Sequence, residues 1–202
     1  MAGIDQSDGF IAHARRAVAD PRAIFQLGDA AALPAESASA DVAVSGLMIN
    51  FVPDMPRAVA EMARAVRSDG IVAAYVWDYA GEMQLMRRFW DAVVALAPAA
   101  LEKDEGRRFP VCRPEPLVAL FEGAGLAAVE HRAIDVPTVF RDFDDYWQPF
   151  LGGQGPAPAY CMGLPEVRRD ALREQLRATL PTALDGSIPL TARAWAVKGR
   201  VA

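Results

Sequence analysis

Val42-Ala43-Val44 is an apolar run without alternation, and a second such run, Ile71 to Trp77, follows it across a segment of helical period. Runs of this kind suit strands covered on both faces, as in parallel sheets. Between them, Val59, Met62, Ala63 and Val66 mark the inner face of a helix over Pro53 to Arg67, with Pro56 near its first turn and Gly70 as its stop. The alternation begins earlier. Gly3-Ile4 is a strand stub ending at Asp5, and Ser7 precedes Phe10, Ile11, Ala14 and Val18 at helical spacing. That helix ends near Asp20-Pro21, and Ala23 to Leu27 is a short strand halted by Gly28-Asp29. Strand and helix in turn, with room for crossovers, predict a parallel sheet with helices on both faces.

The second part of the chain reads differently. Residues 1–80 carry the alternating core, and 81–202 a C-terminal part with helical insertions. Glu82 to Ala97 and Glu115 to Ala124 read as helices, Ala127 to Phe140 as mainly strand, and Asp142 to Phe150 as a short helix. A Gly/Pro loop from Gly152 to Pro158, a helix from Pro165 to Leu180 and a final strand from Ile188 to Val197 follow. Two late strands separated by helices predict an antiparallel pair at one sheet edge, with the insertions forming a cap.

Composition narrows the class. The 202 residues, 52% of them apolar, suffice for one domain with a sizeable core and exclude general disorder. A net charge of −5 argues against broad nucleic-acid binding, which needs clustered cations. His13, His131, Cys112 and Cys161 show no metal spacing, so no metal is expected. No basic-then-apolar leader precedes the first helix, and no stretch reaches the roughly 20 apolar residues of a membrane span. A cytoplasmic location without membrane contact is the expectation.

In an open parallel sheet, ligands sit beyond the carboxyl ends of the strands. Asp5, Asp29, Ser45 and Asp78 fall at such ends. A carboxylate at Asp5 suits the paired hydroxyls of a ribose. Asp29 suits an adenine amino group, with the Ala30 N–H for a ring nitrogen and Gly28 permitting close approach. The plainer reading is that each acid caps the element after it.

The ordered series Ile4-Asp5-Gln6-Ser7, Gly28-Asp29-Ala30-Ala31-Ala32-Leu33-Pro34 and Asp41-Val42-Ala43-Val44-Ser45 resembles the core of class I S-adenosylmethionine-dependent methyltransferases, of the type 11-like kind. The helix Met55 to Val66 and the turn Arg67-Ser68-Asp69-Gly70 before Ile71-Val72 extend the likeness. The resemblance implies an α/β, Rossmann-like sheet, mostly parallel with an antiparallel edge pair. It implies S-adenosyl-L-methionine as cofactor, with Asp5 on the ribose, Gln6 flanking the adenine, Asp29 and Ala30 on the adenine edge, and Ser45 beside the methionine part.

The family's glycine-rich turn and central strand have no counterpart in the residues before Asp5. The sheet is therefore expected to be N-terminally incomplete, leaving the strands that end at Asp5 and Leu47 with unpaired edges. Either a shortened chain or a natural degenerate form meets this pattern. Self-association, or a second chain completing the sheet, is the corresponding partner expectation.

Methyl transfer from a sulfonium needs proximity more than acid–base groups, so no catalytic residue is assigned. His13, Asp78 and Tyr79 are the candidate bases, with a helix-face position the plainer reading of His13. A small-molecule acceptor is expected against Phe51, Trp77, Tyr79, Tyr146 and Trp147. Phe143, Tyr146, Trp147 and Phe150, at i, i+3, i+4, i+7 spacing, read either as a packed amphipathic face or as a lid hinged at Gly152-Gly153-Gln154-Gly155. Two other functions stay open: a methyltransferase-like module that binds a partner without catalysis, and an NAD-dependent oxidoreductase, which the lack of a Tyr-x-x-x-Lys disfavours.

Overall fold

A computed structural model describes all 202 residues. They form two compact units, one of residues 1–76, 115–131 and 196–202, the other of 77–114 and 132–195.

In the first unit, β1 (Ala2–Asp5) and β2 (Ile24–Leu27) pair in parallel, joined by α1 (Asp8–Ala17). Ser7 caps α1, its hydroxyl accepting the Phe10 N–H at 3.4 Å, while Asp8 and the pair Arg15, Arg16 match the helix dipole at its two ends. β3 (Ala40–Gly46) pairs in parallel with β4 (Val66–Trp77), and α2 (Met55–Ala65) connects them. Asp54 caps α2, and Ala58, Val59, Met62 and Ala65 form its buried face.

Gly70 does not stop α2, contrary to the sequence reading. The helix ends at Ala65, and Val66 is already extended. Ala40 lies opposite Val66 but Val42 opposite Ile71, so residues 67–70 bulge out of the ladder, with Asp69 at φ +61°. A side chain on Gly70 would strike Val66 and come within 2.7 Å of the Asp41 carbonyl, so the glycine makes room for a close crossing.

β5 (Ala127–Phe140) follows α5 (Pro114–Gly123), and β6 (Ile188–Arg200) is the last strand. The strand order is β1-β2 in one sheet and β3-β4-β6-β5 in the other. β6 runs antiparallel to β4, as the reciprocal bonds Asp69 N to Val201 O (3.0 Å) and Val201 N to Gly70 O (3.1 Å) require. It is also antiparallel to β5, since Lys198 meets Glu130 and Arg193 meets Asp135. The mostly parallel sheet with an antiparallel edge pair is as expected. The expected open edges of β1 and β3 are present too, and β2 and β5 likewise end their sheets. On β3 the open position shows in Val42 and Val44, which are 51% and 62% exposed.

The second unit is built on α3 (Gln84–Leu96), α4 (Glu105–Arg108), α6 (Phe143–Trp147), α7 (Pro156–Gly163) and α8 (Glu166–Thr179). Phe89, Trp90, Tyr146, Phe150, Leu172 and Leu176 are the large members of its core, with Phe89 stacked on Phe150 at 4.4 Å. Sequence reading placed a loop over 152–158, whereas α7 starts at Pro156. Pro156 and Pro158 sit in the first turn, where their missing N–H groups cost nothing. No helix is long and apolar enough to cross a membrane.

Candidate functional site

The register of β1 and β2 brings the two leading candidates together. Asp5 lies opposite Leu27, and its carbonyl accepts the Gly28 N–H at 3.1 Å, so Asp29 follows one residue beyond the last rung. Both carboxylates therefore sit at the carboxyl ends of neighbouring strands.

Each is half engaged by its own backbone. Asp5 Oδ1 accepts the Ser7 N–H at 2.7 Å, and Asp29 Oδ1 accepts the Ala31 N–H at 2.8 Å. These are the turn-capping contacts of the plainer reading. They leave Oδ2 of each acid without a hydrogen bond, and a carboxylate has about four acceptor sites. Asp5 is half-buried, Gln6 and Asp29 are exposed, and Ala30 is half-buried with its N–H bound to no acceptor of the chain.

Gly28 has a structural reason to be glycine. A Cβ there would lie 2.7 Å from Ile4 Cγ2 and 2.9 Å from Pro34 Cδ. The close approach the sequence suggested is made by the chain's own side chains, which press the Gly28-Asp29 corner onto β1.

The segment after Asp29 is held by α2. Glu61, 7% exposed, accepts the Leu33 N–H at 3.0 Å and pairs with Arg64 at 2.9 Å. Arg64 in turn donates to the carbonyls of Leu33 and Ala35. The direct hydrogen bonds from Arg64 hold the Glu61 carboxyl below the usual carboxylate range, against the opposing effect of desolvation. Sequence reading gave Glu61 and Arg64 no part. Their i, i+3 spacing was the available signal, but the same pair on a wet helix face reads identically.

Ser45 closes β3 at 4% exposure, and Asn50 follows in a short 3-10 turn, Ile49–Phe51, at 6%. Neither Ser45 Oγ nor Asn50 Nδ2 has a hydrogen-bond partner. Between them Leu47 adopts φ +54°, a left-handed conformation that costs a non-glycine residue about 1–2 kcal/mol. Two orphaned polar atoms and a strained link at one strand end are a place where the chain by itself is incompletely satisfied. Phe51, one residue on, is 50% exposed. Asn50 was missed as a site residue because nothing local marks it for burial.

The remaining sequence candidates, His13 apart, belong to the second unit. Trp77 is half-buried at the end of β4. Asp78 is buried, with Oδ2 accepting the Glu82 N–H at 2.9 Å, and serves as a turn anchor. Tyr79 is 5% exposed and packs against Phe109 at 5.8 Å; burial, with Glu105 nearby, raises its phenol well above the ordinary value. Tyr146 is fully buried, its hydroxyl donating to the Leu85 carbonyl at 3.2 Å, and Trp147 is 6% exposed in the same core. The packed amphipathic face, rather than a lid, describes this helix. His13 is exposed on α1 and takes the helix-face position.

Residues 1–74 match a family model described as a methyltransferase domain. The demethylmenaquinone methyltransferase of Roseiflexus castenholzii is 31% identical over an alignment spanning 58% of this chain and 53% of that protein. The chain thus spans about half the length of the curated relative it matches. Among solved structures, a putative methyltransferase from Bacillus halodurans superposes with a TM-score of 0.59 at 12% identity, over 98% of this chain and 81% of that one. Phosphoethanolamine N-methyltransferase 2 of Haemonchus contortus, solved with S-adenosyl-L-methionine, gives 0.56 at 15% identity, over 100% of this chain and 43% of that one. The fold is that of class I methyltransferases, and the resemblance read from residues 3–78 is borne out.

Proposed function

We propose that the first unit binds S-adenosyl-L-methionine beyond the carboxyl ends of β1, β2 and β3, in the service of methyl transfer to a small-molecule acceptor. The observation that carries the reading is the shared strand end of Asp5 and Asp29, each with a carboxylate oxygen to spare, together with the orphaned Ser45 Oγ and Asn50 Nδ2. Asp5 Oδ2 would accept from the ribose hydroxyls with Gln6 against the adenine, while Asp29 and the Ala30 N–H address the adenine edge and Ser45 the methionine part. Asn50 joins this set by its orphaned amide. When bound, that cofactor supplies an electrophilic methyl, and the bonding pair returns to sulfur as an acceptor lone pair displaces it.

The contribution of the chain is placement. Asp5 is tied to Ser7, Asp29 to Ala31, and the segment after Asp29 is clamped by Glu61 and Arg64, so the recognition groups are held before a ligand arrives. No side chain is assigned as general base. Asp78 is occupied by a backbone N–H, the Tyr79 phenol resists ionisation, and His13 is exposed on α1. Phe51 remains the acceptor-contact candidate of this unit.

The test is calorimetric titration of the chain with S-adenosylhomocysteine and with adenosine. Saturable binding of both, with the thioether compound the tighter, supports the reading. Absence of binding by either refutes it for this chain and favours a second reading, a non-catalytic module that engages a partner through sheet edges. The exposed Val42 and Val44 beside the unpaired edge of β3 favour that alternative.

A further inference from the structure

The second unit carries a cavity of about 370 Å3 that none of these roles uses. Its size lies in the range of small-molecule sites. Trp90, though only 1% exposed, contributes to its lining; the indole N–H donates to Glu105 Oε2 at 3.0 Å, which fixes the ring plane. Tyr160 faces that ring at 5.5 Å and 50°, and Pro156 and Ala159 complete an apolar wall.

Cations outnumber carboxylates in the cavity lining. Lys103 and Arg108 both line it, and neither forms an ion pair. The Lys103 ammonium sits 5.7 Å from the Tyr160 ring centre. The lining carboxylate, Glu102, is already paired with Arg107 at 3.1 Å. Glu105, behind Trp90, has its carboxyl raised chiefly by burial, with the Trp90 hydrogen bond and the Arg108 charge opposing the shift. Two cations without an ion pair at one cavity stand out in a chain of net charge −5.

We propose that this cavity binds a small organic anion with a flat apolar body, the body lying against the wall of Tyr160, Pro156 and Ala159 and the anionic group meeting Lys103 and Arg108. A bare inorganic anion would leave the aromatic wall unused, and a cation attracted to the rings would be repelled by both basic side chains. The assignment does not rest on the methyl-transfer reading, so a failed titration with S-adenosylhomocysteine leaves it standing.

The test compares 2-naphthoate, 2-naphthylmethanol and 2-naphthylmethylammonium by calorimetry at low salt. Naphthoate is expected to bind about tenfold or more tightly than the alcohol, and the ammonium more weakly than either. The double variant Lys103→Gln/Arg108→Gln alters two exposed side chains, so its circular dichroism should be unchanged. It should bind naphthoate and the alcohol alike, whereas Tyr160→Ala should weaken both. The proposal is overturned if no probe binds, if all three bind equally, or if the carboxylate preference survives the double substitution.

Discussion

The Asp5 carbonyl accepts the Gly28 N–H at 3.1 Å, and this single rung sets where two carboxylates stand. Slipping β2 by one residue along β1 would move Gly28 away from Ile4 and carry Asp29 off the tip shared with Asp5. The parallel register, more than either acid alone, makes the strand ends of the first unit a candidate nucleoside site.

Asp5→Ala removes the carboxylate whose Oδ2 is spare. Affinity for S-adenosylhomocysteine should fall about tenfold or more, since hydrogen bonds to a charged acceptor contribute about 1.5–3 kcal/mol. Asp5→Asn keeps an acceptor for the Ser7 N–H and should retain the melting temperature of the parent while still losing affinity. Affinity equal to that of the parent in both variants, measured by calorimetry, would remove Asp5 from the site.

Ser45→Ala trades stability against binding. Deleting a buried hydroxyl that has no partner relieves a desolvation cost of about 1–3 kcal/mol, so the ligand-free protein should become more resistant to urea. Its affinity for S-adenosylhomocysteine should fall. A variant less stable than the parent would show that Ser45 Oγ is satisfied in solution and is not waiting for a ligand.

Gly28→Ala places a methyl 2.7 Å from Ile4 Cγ2, and overpacking of this kind costs about 1–3 kcal/mol. Pairing it with Ile4→Ala should recover part of the lost stability in denaturant titrations. If the single variant is as stable as the parent, the Gly28-Asp29 corner is not pressed onto β1.

Glu61 gives a pH signature. Its folded-state carboxyl is lowered, chiefly by the Arg64 hydrogen bonds, relative to an unfolded value of about 4.3. The stabilisation is therefore complete above that unfolded value and is lost as pH falls through the folded one. Between pH 6 and pH 3 the parent should lose more stability than Glu61→Gln, as read from urea midpoints at each pH. Parallel curves would rule out the clamp on the loop after Asp29.

Local period and strand-end chemistry were legible in the sequence. Val42-Ala43-Val44 and Ile71 to Trp77 announced two strands, though Val42 and Val44 are exposed rather than covered; Ser7 announced the start of α1, and the order Asp5, Gly28-Asp29, Ser45 the strand ends proposed to meet a ligand. The open edges of β1 and β3 also followed, because strand order is implied once the family core is seen.

Only the tertiary structure decided what each of these residues is pressed against. Gly28 is glycine because Ile4 and Pro34 reach it, and Gly70 because the Asp41 carbonyl does. Tyr146 and Trp147 pack into a core with Phe89 and Leu176, where the i, i+3, i+4 aromatic pattern favoured a packed face but also admitted a lid. Asn50 became informative only through burial without a partner, which also singles out Ser45 Oγ. Periodicity and capping depend on a few neighbouring residues. Burial, register and hydrogen-bond satisfaction depend on atoms dozens of positions away, brought together only by the folded chain.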